Sequence, residues 1–165
     1  MKIAILSDSH DNKSGLVQAL QKIHDAGIRM VLFAGDLCAP SVLRDCFGKF
    51  PDITVHTVFG NNDGDRYRMA VIGAGFPNIV QHGEYAAMDI DGKRIGMTHY
   101  PFYATSMAKS GDFDLVVFGH DHLPRVESYQ KCMAANPGSI LGDMHAASFA
   151  VYDTQSHEAI INMVD

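Results

Sequence analysis

The sequence predicts an α/β protein in which two β-sheets pack on each other with helices outside. Two observations carry that expectation. The first half alternates short apolar runs of strand length with helical periodicity, in the order βαβαβ, and the second half is mostly strand, with one helix near Phe102–Ser110. No low-complexity run, repeat or Pro/Gly/Ser-rich linker divides the 165 residues, so a single domain over residues 1–165 is expected.

The elements follow from local chemistry. Lys2–Ser7 reads as a buried strand. Leu16, Val17, Leu20 and Ile23 give residues 14–26 a helical spacing that Gly27 stops. Met30–Phe33 reads as a second strand, Val42–Phe50 as a short helix and Thr54–Phe59 as a third strand. Ala86–Ile90 and Arg94–Met97 flank Asp91-Gly92, two residues that tolerate positive φ and so signal a hairpin. Leu115–Phe118 reads as another short buried strand. Val126–Tyr129, Cys132–Ala135, Ser148–Tyr152 and Ala159–Val164 read as paired strands joined by turns.

Composition narrows the function classes. Apolar residues make up 47% and charged residues 19%, an ordinary globular mixture. Thirteen Lys+Arg against 19 Asp+Glu leave a net charge of −6, which offers no broad cationic face to extended nucleic acid or an anionic membrane. The apolar run Ile3–Leu6 is too short for a signal-peptide core, no stretch approaches a membrane span, and the three cysteines lack zinc or redox spacing. The expectation is a cytoplasmic protein with reduced thiols and no membrane partner; a homo-oligomer stays open.

Of the 19 acidic residues, 16 are Asp and 3 are Glu, and there are nine His. The motif-bearing ones follow predicted strands. Asp8-Ser9-His10-Asp11 follows the first, Gly35-Asp36 the second and Gly60-Asn61-Asn62-Asp63 the third. His99 follows the strand after the hairpin, and Gly119-His120-Asp121-His122 follows Leu115–Phe118. In open α/β sheets, ligands bind outside the carboxyl ends of the strands, so these five clusters are expected to converge at one edge.

Asp, Asn and His supply oxygen and imidazole nitrogen, the donors that borderline divalent metals prefer, and the absence of Cys argues against a structural zinc site. The seven candidates Asp8, His10, Asp36, Asn61, His99, His120 and His122 are too many for one tetrahedral ion and suit two ions sharing a carboxylate. Two ions ~3.5–4 Å apart clamp the attacking and leaving oxygens of a phosphoryl transfer. With two charges of +2 against the −2 of Asp8 and Asp36, such a site stays positive inside an acidic protein, because bound cations dominate the local field.

Each fragment alone is unspecific, and His99 alone would read as a structural residue. The ordered set resembles the calcineurin-like metallophosphoesterase superfamily, whose pattern runs Asp-x-His, Gly-Asp, Gly-Asn-His-Asp/Glu, a lone His, then Gly-His-x-His. The resemblance covers roughly residues 1–140. The short chain, with Asn136-Pro137-Gly138-Ser139 after the last motif, is similar to the small bacterial and archaeal phosphodiesterase subgroup. It implies a four-layer αββα sandwich of two mixed sheets flanked by helices. It also implies two divalent ions, manganese foremost, with nickel, iron, cobalt or zinc as alternatives. Asp8, His10, Asp36 and His122 would hold one ion; Asp36, Asn61, His99 and His120 would hold the other, with Asp36 as the bridge.

The sequence departs from that pattern at Asn62, where the superfamily has a His able to protonate the leaving alkoxide. An amide donates a hydrogen bond but delivers no proton. Asp63 thereby loses its usual partner. The expectation is a bias toward good leaving groups, or a proton from water or Asp121. Asn62, Asp63 and His99 are the candidate catalytic residues.

Tyr100 stands beside His99, where the subgroup commonly has Gly, and either narrows the pocket or packs against it. Arg66, Arg68 and Arg125 read as solvated surface, Cys38 as packing, and His24, His56, His82, His145 and His157 as structural. The reading is a binuclear phosphoesterase acting on small phosphodiesters, with hydroxide between the ions attacking phosphorus. A phosphomonoesterase on the same site and a non-enzymatic scaffold, like the retromer subunit of this fold, are the alternatives.

Overall fold

In the first strand, β1 (Lys2–Leu6), Ile3 to Leu6 are all fully buried, a pattern that requires cover on both faces. The computed structural model, which describes residues 1–165, shows what supplies it. Ala4 and Leu6 join a cluster with Leu16, Leu20 and Ile23 of α1 (Lys13–Asp25). Ile3 and Ile5 join another with Ile95, Met97, Leu115 and Val117 of a second sheet.

Chain order continues with β2 (Met30–Phe33), α2 (Ser41–Asp45), a 3-10 turn (Phe47–Lys49), β3 (Thr54–Thr57), α3 (Arg66–Gly73), β4 (Ile79–Gln81), β5 (Tyr85–Ile90) and β6 (Lys93–Thr98). Then come α4 (Pro101–Ser110), β7 (Leu115–Val117), β8 (Arg125–Tyr129), β9 (Cys132–Asn136), β10 (Ser148–Asp153) and β11 (Glu158–Met163). The sheets have the orders β11-β10-β1-β2-β3-β4 and β5-β6-β7-β9-β8. β1 to β4 run parallel, as do β6, β7 and β9; β10, β11, β5 and β8 pair antiparallel. Helices α1 to α3 cover the first sheet, while Ala104 and Ala108 of α4 pack on Val116 and Ala134 of the second. The expected αββα layering is the one observed.

Most expected elements stand within a residue or two. Asn12 caps α1 by accepting from the Gly15 N–H, and Gly27 follows it with φ 75°. The β5–β6 hairpin turns at Asp91 (φ 49°) and Gly92 (φ 74°). Two readings are corrected. The helix expected over Val42–Phe50 breaks after Asp45 into α2 and the 3-10 turn, beside Gly48, a poor helix former whose bare backbone lies against the Phe76 ring. The sequence predicts no element over residues 66–81, where α3 and β4 lie. α3 buries only Met69 and Gly73, and β4 is a three-residue edge strand, so neither carries a readable apolar period. No helix is long and apolar enough to cross a membrane.

Candidate metal centre

All five polar clusters follow the C-terminal ends of parallel strands: β1, β2 and β3 in one sheet, β6 and β7 in the other. The backbone there is unusual. Asp8 (φ 53°), His10 (φ 42°), Asp36 (φ 61°), His120 (φ 79°) and His122 (φ 57°) all adopt left-handed conformations. Each such non-glycine residue costs about 1–2 kcal/mol, an expense that persists where function over-determines the geometry.

Those turns help bring seven potential ligand atoms to one place. Asp8 and Asp36 are 0% and 1% exposed, yet no Lys or Arg reaches either. Asp8 Oδ1 faces His122 Nε2 at 3.4 Å, His10 Nε2 at 3.7 Å and His99 Nε2 at 4.0 Å, and has no hydrogen-bond partner. Asp36 Oδ2 lies 3.4 Å from His99 Nε2 and 3.5 Å from His10 Nε2. His120 Nδ1 and His99 Nε2 both approach Asn61 Oδ1, at 2.8 and 3.1 Å. His10 and His122 bring their Nε2 atoms to 3.2 Å of each other. Asp8, Asp36 and His99 form the buried floor; Asn61 and His120 are exposed.

The second layer of contacts sets the tautomers. His99 Nδ1–H donates to the Ala34 carbonyl at 2.7 Å, so a neutral His99 turns the Nε2 lone pair toward Asn61, Asp36 and Asp8 oxygens. His122 Nδ1–H donates to Asp143 Oδ1 at 2.9 Å and leaves its Nε2 likewise free. Lone pairs directed at oxygens need a proton or a cation between them. Two buried carboxylates, one orphaned oxygen and inward-facing imidazoles therefore fit a divalent metal, since buried charges are paired or coordinate metals.

The same crowding shifts the titrations. Asp8, against the effect of burial, raises the His10 imidazole above its ordinary pKa. Burial works against ionisation of Asp36, but His99 and the Asn62 N–H donors outweigh it and hold that carboxyl at about 2. Burial lowers His99, and the carboxylates of Asp36 and Asp8 more than restore it. Burial and the surrounding carboxylates push the Cys38 thiol up to about 12; its Sγ lies 3.6 Å from His10 Nδ1.

Two glycines make the approach of these loops tolerable. A Cβ on Gly60 would overlap Asp36 Oδ1, and one on Gly119 would overlap Asp8 Oδ2 and Ser7 Oγ.

The structure brings together all seven expected ligand positions and shows what their neighbours touch. Two groups of side chains could each hold an ion, Asp8–His10–His122 and Asp8–Asp36–His99. Asn62 donates its backbone N–H to Asp36 Oδ1 and its amide to Asp36 Oδ2, both at 2.8 Å, so it orients that carboxylate. With Asn62 in place of a His, Asp63 has backbone partners instead. Its buried carboxylate accepts the backbone N–H groups of Gly60, Asp36 and Cys38, tying the β2 and β3 loops together. Arg125 binds both oxygens of Asp121 and Asn136 binds one; burial disfavours the charge, yet Arg125 holds this carboxyl below the usual carboxylate range. Arg125 and Arg66 are both engaged, Arg66 on Glu84 and the Gly60 carbonyl. Asp143 escaped the sequence reading, because it follows a glycine turn and belongs to no motif; only its contact with His122 distinguishes it from the other aspartates.

A family model described as the calcineurin-like phosphoesterase superfamily domain matches residues 1–157. A phosphodiesterase of Methanocaldococcus jannaschii is 26% identical over 165 residues, covering 96% of each chain. Among solved structures, an archaeal phosphodiesterase superposes with a TM-score of 0.87 at 24% identity over 99% of both chains. A phosphoesterase of E. coli does so at 0.69 and 17% over 100% of both.

Proposed function

Since the chain belongs to the calcineurin-like phosphoesterase superfamily, and is on that basis a phosphoric ester hydrolase, we propose that it cleaves small phosphodiesters at a centre of two divalent metal ions. The observation that carries this is the pair of buried carboxylates, Asp8 and Asp36, ringed by imidazoles and by no Lys or Arg. Asp8, His10, Asp36 and His122 would hold one ion, and Asp36, Asn61, His99 and His120 the other. Asp36 is kept as the bridge because its Oδ2 is within 3.5 Å of an imidazole from each set, whereas Asp8 stands 4.0 Å from His99. When bound, two such ions supply a hydroxide nucleophile near neutral pH and neutralise charge on the phosphoryl oxygens; manganese is the proposed pair.

The protein's own part is positional. His99 and His122 are locked with Nε2 inward by Ala34 and Asp143, Asn62 aims Asp36, and Asp63 fixes the loops that carry Asp36 and Asn61. Asn62 has no proton to give, and Arg125 favours the ionised form of Asp121. The proton comes from water, and activated esters are the best substrates. The apolar layer shared by both sheets supports residues 1–165 acting as one domain, and the three free thiols fit a reducing cytoplasm.

The test is hydrolysis of bis-p-nitrophenyl phosphate and p-nitrophenyl phosphate with and without Mn²⁺. Metal-dependent turnover favouring the diester is expected. Failure to cleave either with Mn²⁺, Ni²⁺, Co²⁺ or Zn²⁺ would sink the proposal and favour a scaffold.

A further inference from the structure

The candidate ligands His99 and His120 do not end the site on the side of α4. The Tyr100 ring packs edge-on against both, with centroids 5.2 and 5.3 Å away. Tyr103 packs on Tyr100 at 5.8 Å, and Phe102 on Tyr103 at 5.7 Å. An aromatic wall thus runs outward from the imidazoles. Helix geometry does not need it, since Tyr103 and Phe102 are 56% and 78% exposed. The wall borders a groove of about 380 Å³ between α4 and the β5–β6 hairpin, floored by Met107 and Phe113. That volume lies within the roughly 300–1,000 Å³ of small-molecule sites.

We propose that this groove is a substrate subsite that takes a planar aromatic group esterified to the phosphate, an aryl ring stacking on Tyr100 and Tyr103. The inference rests on the phosphodiesterase reading for its anchor, the phosphate at the metal centre. The chemistry selects the occupant. No Lys or Arg lines the groove, so it offers nothing to a second phosphate, and the one charged residue at its rim, Glu84, is neutralised by Arg66. What remains is ring edges and faces, a thioether, three phenol hydroxyls and the Thr98 hydroxyl, a surface that favours a flat, uncharged, polarisable ring. A small alkyl ester would leave the wall wet.

The experiment measures dissociation constants of phenyl-, cyclohexyl- and methylphosphonate on the Mn²⁺-loaded protein by calorimetry. Phenylphosphonate should bind about tenfold tighter than methylphosphonate and about threefold tighter than cyclohexylphosphonate, as expected from apolar burial and from ring pairing. In Tyr103→Ala both preferences should shrink toward one, and in Tyr103→Phe they should persist. The half-exposed position and the helix propensity of Ala protect the fold of the first variant. Equal affinities for all three probes, a cyclohexyl preference as large as the phenyl one, or a phenyl preference unaltered in Tyr103→Ala would each overturn the subsite. Turnover of bis-p-nitrophenyl phosphate, measured alongside, separates the two readings. Turnover without a phenyl preference removes the subsite alone, and a preference without turnover removes the hydrolase reading alone.

Discussion

Five candidate ligands occupy left-handed backbone, and each is an Asp or a His, types that enter this region far more readily than β-branched residues do. The excess of Asp over Glu has a backbone reason as well as a chemical one. Asp143 is the residue whose role can be separated most cleanly, because its side chain is 42% exposed and its notable contact is His122. Asp143→Ala should weaken Mn²⁺ binding by about 10–100-fold in a calorimetric titration, the usual loss when a histidine ligand loses its orienting carboxylate. The melting temperature in chelator should not move; a lower melting temperature with unaltered metal affinity would mark the residue as merely structural. Asn62→His restores a proton donor beside Asp36, keeping the backbone N–H bond to Oδ1. Turnover of alkyl phosphodiesters should rise by at least about tenfold, toward the 10²–10⁴ range of general acid catalysis, while activated aryl esters change little.

At the scale of elements, the strand ends matter more than the strands. β1, β2, β3, β6 and β7 are all short, and each stops where its side chains leave the sandwich and enter the centre. On the first sheet, His56 of β3 and His82, just past β4, stack with ring centroids 5.1 Å apart and share a 2.8 Å hydrogen bond. Burial lowers both imidazoles from 6.5, and for His56 the neighbouring His82 adds to it. A folded-state pKa below the unfolded one means the unfolded chain takes up protons first. The pair's stability is therefore complete above pH 6.5 and is lost as the pH falls from there toward the lowered folded values. In chelator, the urea midpoint of the native protein should drop more between pH 7.5 and 5.5 than that of a His56→Asn, His82→Asn double variant. Parallel curves would show that the pair contributes nothing.

Over the whole molecule, the candidate ligands come from both sheets: Asp8, His10, Asp36 and Asn61 from one, His99, His120 and His122 from the other. Metal binding would clip the two halves of the sandwich together across their shared apolar layer. It would also relieve the repulsion between buried Asp8 and Asp36. A site filled at a hundred times its dissociation constant stabilises by about 2.7 kcal/mol, or roughly 5–10 °C for a chain of this size. Chelation should lower the melting temperature by that order, and Mn²⁺ should restore it. A chelator-insensitive melt would mean that no ion links the sheets.

The sequence by itself determined the layer architecture, the strand ends and the seven candidate donor positions. Each of these rests on a local rule: strand-length apolar runs, turn residues, and motifs fixed to the ends of strands. It left α3 and β4 unread, because one buried Met69 and a three-residue edge strand make no period. The division of labour within the site was decided by tertiary structure alone. Asp63 and Asn62 serve backbone and carboxylate, Asp121 belongs to Arg125, and Asp143 joins the centre from a loop that no motif marks. His120 and His122 meet Asp8 and His10 across 112 residues of chain, and a spacing rule sees only neighbours; which carboxylate meets which donor is settled when two sheets close on each other.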